Sequence, residues 1–422
     1  MEALLVIVGF FALLAFGVPI AVSLIVSSLG YILIMTDIPV IIVAQQALAG
    51  TDKFTLMAVP YFIVAGALMQ AAGISSRIVN LARSLVGWMP GGLAVVTIIA
   101  SMFFAAMTGA GAATTAAVGG MMIPAMVKDG YSRNYATALQ ASAGVFGPII
   151  PPSVLMILYA VTAEVSVGDM LIAGILPGLL IGLIMVGYVM VQAKAKNFGT
   201  RERFTVGGVG VALKESFWAL LAPIIILGGI YTGIFTPTEA AAIGCFYSLL
   251  VGVLIYREIS FSKLLSVLFD SFKVAAGIML IVGAAQAFGW VLTREGLPQA
   301  AANLFAENIT NPTLFLLVSV ALFLVAGCFI DAVPNVLIFA PILCPVAGAY
   351  GIDLVHFGIV MVVAFCVGLI TPPVGVNLFV AAEVGNVPLR TFIPQVWQFF
   401  GIIVVGLLVL VFVPWFSLAL VS

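Results

Sequence analysis

Charge is what this sequence has least of. Asp, Glu, Lys and Arg make up 7% of the 422 residues, against 64% hydrophobic ones. A soluble domain carries roughly 25% charged residues, so a water-covered globule is excluded. The shortage is also uneven: Asp331 is the single charge between Glu307 and Asp353, and Glu383 the single one between Asp353 and Arg390. Runs such as Leu4–Met35, Tyr135–Thr162 and Gly401–Val421 reach or exceed the roughly 20 apolar residues that cross a hydrocarbon core. The chain reads as an all-α polytopic membrane protein.

Other absences narrow the function. The only histidine, His356, has no second histidine near it, which removes a catalytic or metal-binding pair. The four cysteines (Cys245, Cys328, Cys344, Cys366) stand singly in apolar runs without metal-type spacing, as buried small hydrophobes do. A net charge of −1 without a basic patch offers nothing to nucleic acid. No G-x-x-x-x-G-K-[ST] motif exists, so any work done draws on an ion gradient or another subunit. A channel would need a filter or a ring of charges, and an intramembrane enzyme a Ser/His or paired-Asp set; neither is present. The apolar N-terminus runs on for about 30 residues without a basic n-region, and reads as a retained first helix.

Hydropathy predicts ten to twelve spans. Basic residues cluster at Lys128/Arg133, at Lys194–Arg203 and at Arg257–Lys273, and the positive-inside rule places these three on the cytoplasmic side. Glu164–Asp169, Tyr231–Thr238 and Arg294–Asn311 fall on the other. The chain divides into a first half (1–193, with a hairpin at 107–127 and a broken helix at 135–162), a cytoplasmic linker (194–216), and a second half. That second half (217–422) carries a hairpin at 313–350 and a broken helix at 355–382.

The two halves share one unit. TGAGAATTAAVGGMMIPAM (Thr108–Met126) is followed by GPIIPPS, and GCFIDAVPNVLIFAPILCPVA (Gly327–Ala347) by GLITPPVGVN. Gly147 with Pro151-Pro152 matches Gly368 with Pro372-Pro373 at an offset of 221 residues. An odd number of passes between the copies makes them inverted repeats. A Pro-Pro pair removes two amide donors and disfavours helix before it. The carbonyls so freed need partners that hydrocarbon cannot supply, and sodium, which prefers hard oxygen, suits them. Discontinuous helices of this kind meet at the midplane of secondary transporters.

Asp331 stands out, because a carboxylate so far from other charges is costly at bilayer depth. It reads either as a group near sodium or substrate or as a helix N-cap, and the two are compatible. Glu239, in Thr236-Pro237-Thr238-Glu239, fits a capping box as well as any transport role. Arg294 fits an anion contact, a partner contact or a snorkelling helix end. The amides Gln286 and Asn335 fit interhelical bonding as well as ligand binding.

At these hairpins and Pro-Pro pairs the sequence resembles the large membrane subunit of tripartite ATP-independent periplasmic (TRAP) transporters. The resemblance extends over the whole chain and includes FTPTEAAAIG and FIDAVPN. Where the family opens its first hairpin with Ser-Gly-Ser, this chain has Thr108-Gly109-Ala110. The resemblance implies inverted repeats with two re-entrant hairpins and discontinuous helices in an elevator-type sodium symporter of the bacterial inner membrane. It would work with a small four-helix membrane subunit and a periplasmic substrate-binding protein. Two coupling sodium ions are implied, one at Thr108, Gly109, Gly147, Ile150 and Pro152, the other at Gly327, Asp331, Gly368, Thr371 and Pro373. Thr108, Thr114, Asp331, Asn335 and Arg294 are the expected substrate contacts. The substrate would be an organic anion: a C4-dicarboxylate, sialic acid or a related sugar acid. The alternative is a stand-alone sodium-coupled carboxylate symporter of similar architecture.

Overall fold

The computed structural model describes residues 2–196 and 203–421, and every regular element among them is helical. The apolar run at 4–35 is two helices, Glu2–Ala15 and Ile20–Met35, and not the single one expected. Gly17 between them takes φ +78°, which glycine adopts without steric cost, and Pro19 stands at the N-cap of the second.

Among the described residues, seven helices are long and apolar enough to cross a membrane, or eight if the bent pair Arg133–Ile149 and Val154–Ala163 is one span. This is fewer than hydropathy predicts, because several apolar runs are divided between short helices. The first hairpin is built from Gly92–Thr108 and Gly111–Lys128. The expected boundaries 107–127 therefore mistake its tip for its start: Gly109, at φ +63°, turns the chain halfway. The second hairpin is Pro312–Gly327 and Ala332–Ala349, and the second broken helix is Leu354–Gly368 and Val376–Gly385.

Two further expectations change. The linker expected at 194–216 is shorter, since one helix persists to Lys196 and the next begins at Val206; residues 197–202 lie outside the described residues. The basic stretch ending at Lys273 is no loop but the start of one 34-residue helix, Phe261–Arg294. At 1.5 Å per residue it is ~51 Å long, more than a hydrocarbon core of ~30 Å requires.

Packing gathers the helices into two bodies that also touch each other, Phe261–Arg294 on Ala332–Ala349 and Ile74–Val86 on Gly92–Thr108. Phe261–Arg294 runs against Ile20–Met35, Ile41–Thr51 and Ala58–Ala71, and Ala58–Ala71 also packs on Pro237–Leu250. This scaffold turns large apolar side chains outward, Phe269 at 71% exposure and Phe272 and Leu280 beside it, a surface suited to lipid or another membrane helix. In the other body, Leu354–Gly368 is buried on every face, as a helix apolar all round must be. The second hairpin and the first broken helix surround it.

Candidate functional site

Both hairpin tips and both breaks open onto one cavity of about 620 Å³ between the two bodies. From the hairpin side it is lined by Thr108–Ala113 and Asp331–Val333, and from the breaks by Pro148, Val154, Leu155, Leu369, Val376 and Asn377. The opposite wall is scaffold: Gly66 and Gln70 on one helix, Asp270, Ser271 and Val274 on the long one.

Local chemistry explains why the chain breaks here. Pro151 and Pro152 have no N–H to continue a helix, and Ser153 restarts it, its hydroxyl accepting from the Met156 amide at 3.3 Å. The same hydroxyl donates to the Pro148 carbonyl at 2.6 Å, bridging the gap. In the second half the Val374 amide donates to the Cys328 carbonyl at 3.2 Å, tying break to tip. The Asn377 amide donates to the Leu369 carbonyl at 3.0 Å, and the Thr371 hydroxyl to that of Val367 at 2.8 Å. Both Pro-Pro bonds are cis.

Each break touches a tip through glycine. A Cβ on Gly147 would overlap the Ala110 carbonyl and the Gly111 amide, and one on Gly109 the Pro152 carbonyl. One on Gly327 would lie 3.1 Å from the Gly368 Cα. No side chain larger than hydrogen fits at these approaches without displacing backbone.

Four helices begin at this cavity: Gly111–Lys128, Val154–Ala163, Ala332–Ala349 and Val376–Gly385. Helix N-termini present unpaired N–H groups and a partial positive charge, so their convergence has the chemistry to attract an anion. Among the described residues the lining contains no lysine or arginine, while two carboxylates, Asp270 and Asp331, are part of it. Asp331 is the N-cap residue of Ala332–Ala349, but its carboxylate lies beside the Ala332 and Val333 amides without closing a cap hydrogen bond. Asp331 thus sits where an N-cap does and also lines the cavity.

The expected site residues divide. Thr108, Gly109 and Asp331 line the cavity. Gly147, Pro152, Gly327 and Gly368 lie in the tip–break contacts just behind it, while Thr371 bonds within its own helix end. Ile150 is half-buried and Pro373 exposed, and neither lines the cavity. Thr114 and Asn335, expected as substrate contacts, do not line the cavity and stand one turn behind the tips. The Thr114 hydroxyl donates to the Ala110 carbonyl at 3.0 Å and lies 3.3 Å from that of Thr108; the Asn335 amide donates to the Ile330 carbonyl at 2.9 Å. Arg294, also expected as a substrate contact, lies farther off. It caps the far end of the long helix over the Trp290 ring, 5.7 Å from its centroid, ~36 Å along the axis from Asp270 at 1.5 Å per residue.

Gln70, Asp270, Ser271 and Asn377 are cavity residues that sequence reasoning missed. The first three lie on scaffold helices outside the repeated motifs. Asn377, though inside GLITPPVGVN, stands beyond the Pro-Pro pair that drew attention. Glu239 proves to be a capping group: the Thr236 amide donates to its carboxylate at 2.8 Å, and the Glu239 amide donates to the Thr236 hydroxyl at 3.3 Å. All four cysteines are free.

Comparison with known proteins gives the family. Residues 7–416 match the family described as tripartite ATP-independent periplasmic transporter, DctM component. The isethionate TRAP transporter permease protein DctMQ of Oleidesulfovibrio alaskensis is 40% identical over 98% of this chain, which spans 65% of that relative's length. The C4-dicarboxylate TRAP transporter large permease protein DctM of Pseudomonas aeruginosa is 41% identical, covering 88% of this chain and 87% of that one. The sialic acid TRAP transporter large permease protein SiaM of Vibrio cholerae is 38% identical, over 91% and 90%. In fold, the chain is similar to the Alcanivorax borkumensis YdaH transporter, with a TM-score of 0.64 at 15% identity, covering 90% of this chain and 88% of the other. The chain thus belongs to the DctM-component family of tripartite ATP-independent periplasmic transporters, and is a multi-pass membrane permease, not an enzyme.

Proposed function

We propose that this permease imports an organic anion together with sodium, and that the solute sits in the cavity between the two hairpin tips. The observation that carries the reading is the convergence of four helix N-termini on a cavity with two carboxylates and, among the described residues, no basic side chain. Helix ends attract an anion but do not neutralise it, and Asp331 beside it would repel it. Cations bound with the solute offset that repulsion. The oxygens available to them belong to the residues already named: Thr108, Gly109, Gly147 and Pro152 at the first tip, and Gly327, Asp331, Gly368 and Thr371 at the second. Both sets are hard oxygen donors, the chemistry sodium prefers. The ions are cargo, taken up and released with the solute.

Alternation of access is the natural use of two bodies meeting at a cavity. The scaffold wall is small where the first tip crosses it: a Cβ on Gly66 would lie 3.0 Å from the Thr108 Cα. A hairpin body sliding along this wall would carry the cavity across the membrane, as in an elevator with inverted repeats. The cavity is lined by the Lys263 end of the long helix, the cytoplasmic end by the positive-inside rule, which corresponds to an inward-facing arrangement.

Family membership supports a small membrane subunit and a periplasmic binding protein as partners in the inner membrane. The outward apolar face of Phe261–Arg294 suits the former. The three relatives are named for a sulfonate, a dicarboxylate and a sugar acid, so the solute class is an organic acid whose identity the binding protein selects. The test is uptake into proteoliposomes holding the permease, small subunit and binding protein, with the solute that co-purifies with the binding protein. Replacing sodium by choline should abolish uptake; unchanged uptake overturns the sodium coupling.

A further inference from the structure

Three fully buried amide side chains gather around the hairpins, and all three are oriented alike. Gln140 donates its NH2 to the Thr114 carbonyl at 3.2 Å, Asn335 to that of Ile330 at 2.9 Å, and Asn377 to that of Ala141 at 3.4 Å. In each the side-chain oxygen is buried and has no partner. Reversing any of them would set oxygen against carbonyl oxygen. A buried acceptor left unpaired is costly, and acceptors arranged this way point to cations.

Asn377 is the informative one, because it crosses between the halves. Its backbone belongs to the second break, bonded to Leu369. Its side chain is wedged into the first half, between the start of Gly111–Lys128 and Gly144. A Cβ on Gly111 would lie 3.0 Å from the Asn377 Oδ1 and 3.1 Å from the Gly144 carbonyl, and one on Gly144 would overlap the Thr115 hydroxyl. The amide oxygen and a carbonyl therefore lie at Gly111, and a hydroxyl at neighbouring Gly144. The Gly147 amide donates to that Gly144 carbonyl at 3.1 Å, and Gly147 abuts the first tip.

We propose that Asn377 Oδ1 is a ligand of the cation held at the first hairpin, so that the second half of the chain completes the first half's site. This rests on the sodium coupling proposed for the permease. It makes the two cation sites interdependent, since displacing the second break from the first tip withdraws a ligand. Hard oxygen from carbonyl, hydroxyl and amide groups, with no carboxylate in the set, fits a monovalent alkali ion.

The test reads sodium binding directly, from the sodium-dependent rise in melting temperature of the purified permease with its small subunit, choline holding ionic strength constant. Asn377→Leu keeps the shape and removes the oxygen; the sodium midpoint should rise about tenfold or more, the loss of one ion–dipole contact. Asn377→Asp keeps the oxygen and removes the donor to Ala141; the midpoint should stay or fall. A purely structural amide gives the reverse pattern: an unchanged midpoint in both variants and a lower melting temperature in Asp. That pattern overturns the proposal, and the Asp variant decides if the Leu variant does not fold. A wild type that shows no sodium dependence overturns the sodium reading and this inference together, whereas sodium dependence unchanged by either substitution overturns the inference alone.

Discussion

Gly327 and Gly368 meet backbone to backbone: a Cβ built on Gly368 would lie 2.7 Å from the Gly327 Cα and as close to its carbonyl oxygen. The approach joins the first arm of the second hairpin to the last residue before the second break. Neither backbone can retreat without opening the buried bundle around Leu354–Gly368.

Gly368→Ala should therefore destabilise the permease by about 1–3 kcal/mol, the usual cost of overpacking, and reduce uptake. Gly187→Ala is the control, since nothing lies within 4 Å of a Cβ there; in mid-helix it should be neutral or stabilising by up to about 1 kcal/mol. Melting curves in detergent measure both.

Asp331→Asn preserves size and position while removing the charge. If the carboxylate serves the coupling ion, the variant should fold normally, raise the sodium requirement about tenfold or more, and lose most uptake at physiological sodium. Wild-type sodium dependence in this variant would remove Asp331 from the coupling site.

Asp270 faces the cavity mouth from the scaffold, where an anionic solute meets a like charge. Asp270→Asn should strengthen solute retention on the cytoplasmic side by about two- to fivefold at low salt, with the difference shrinking as salt is raised. Efflux rates from preloaded proteoliposomes at two ionic strengths measure it.

Glu239→Gln should lower the melting temperature by a few degrees at most and leave the solute and sodium dependence of uptake unchanged, because its carboxylate is occupied with Thr236. A changed sodium dependence would give it the transport role its capping geometry does not require.

What was legible in the sequence follows from backbone rules. Gly109, Pro151-Pro152 and Pro372-Pro373 announce interruptions whatever packs around them, and the isolation of Asp331 needs no structure to be noticed. Residues whose role is tertiary were not legible. Asp270 sits among Lys263 and Lys273, which lower the local hydropathy and make a helix start resemble a loop. Thr114 and Asn335 lie one helical turn behind the tips, a distinction of a few ångströms that spacing does not carry. Arg294 is expected at the solute from the resemblance, yet the length of its own helix places it far from the cavity. Asn377 matters because it reaches Gly111 and Gly144, more than 230 positions earlier in the chain.

In the proposed mechanism solute binds between the two tips. The most direct test is alkylation of Val333→Cys, in a chain whose Cys245 and Cys328 are replaced by serine. Val333 lines the cavity beside Asp331. Solute and sodium together should protect this cysteine from a membrane-permeant maleimide, whereas solute in choline should not. Equal labelling with and without both would contradict a solute site between the tips.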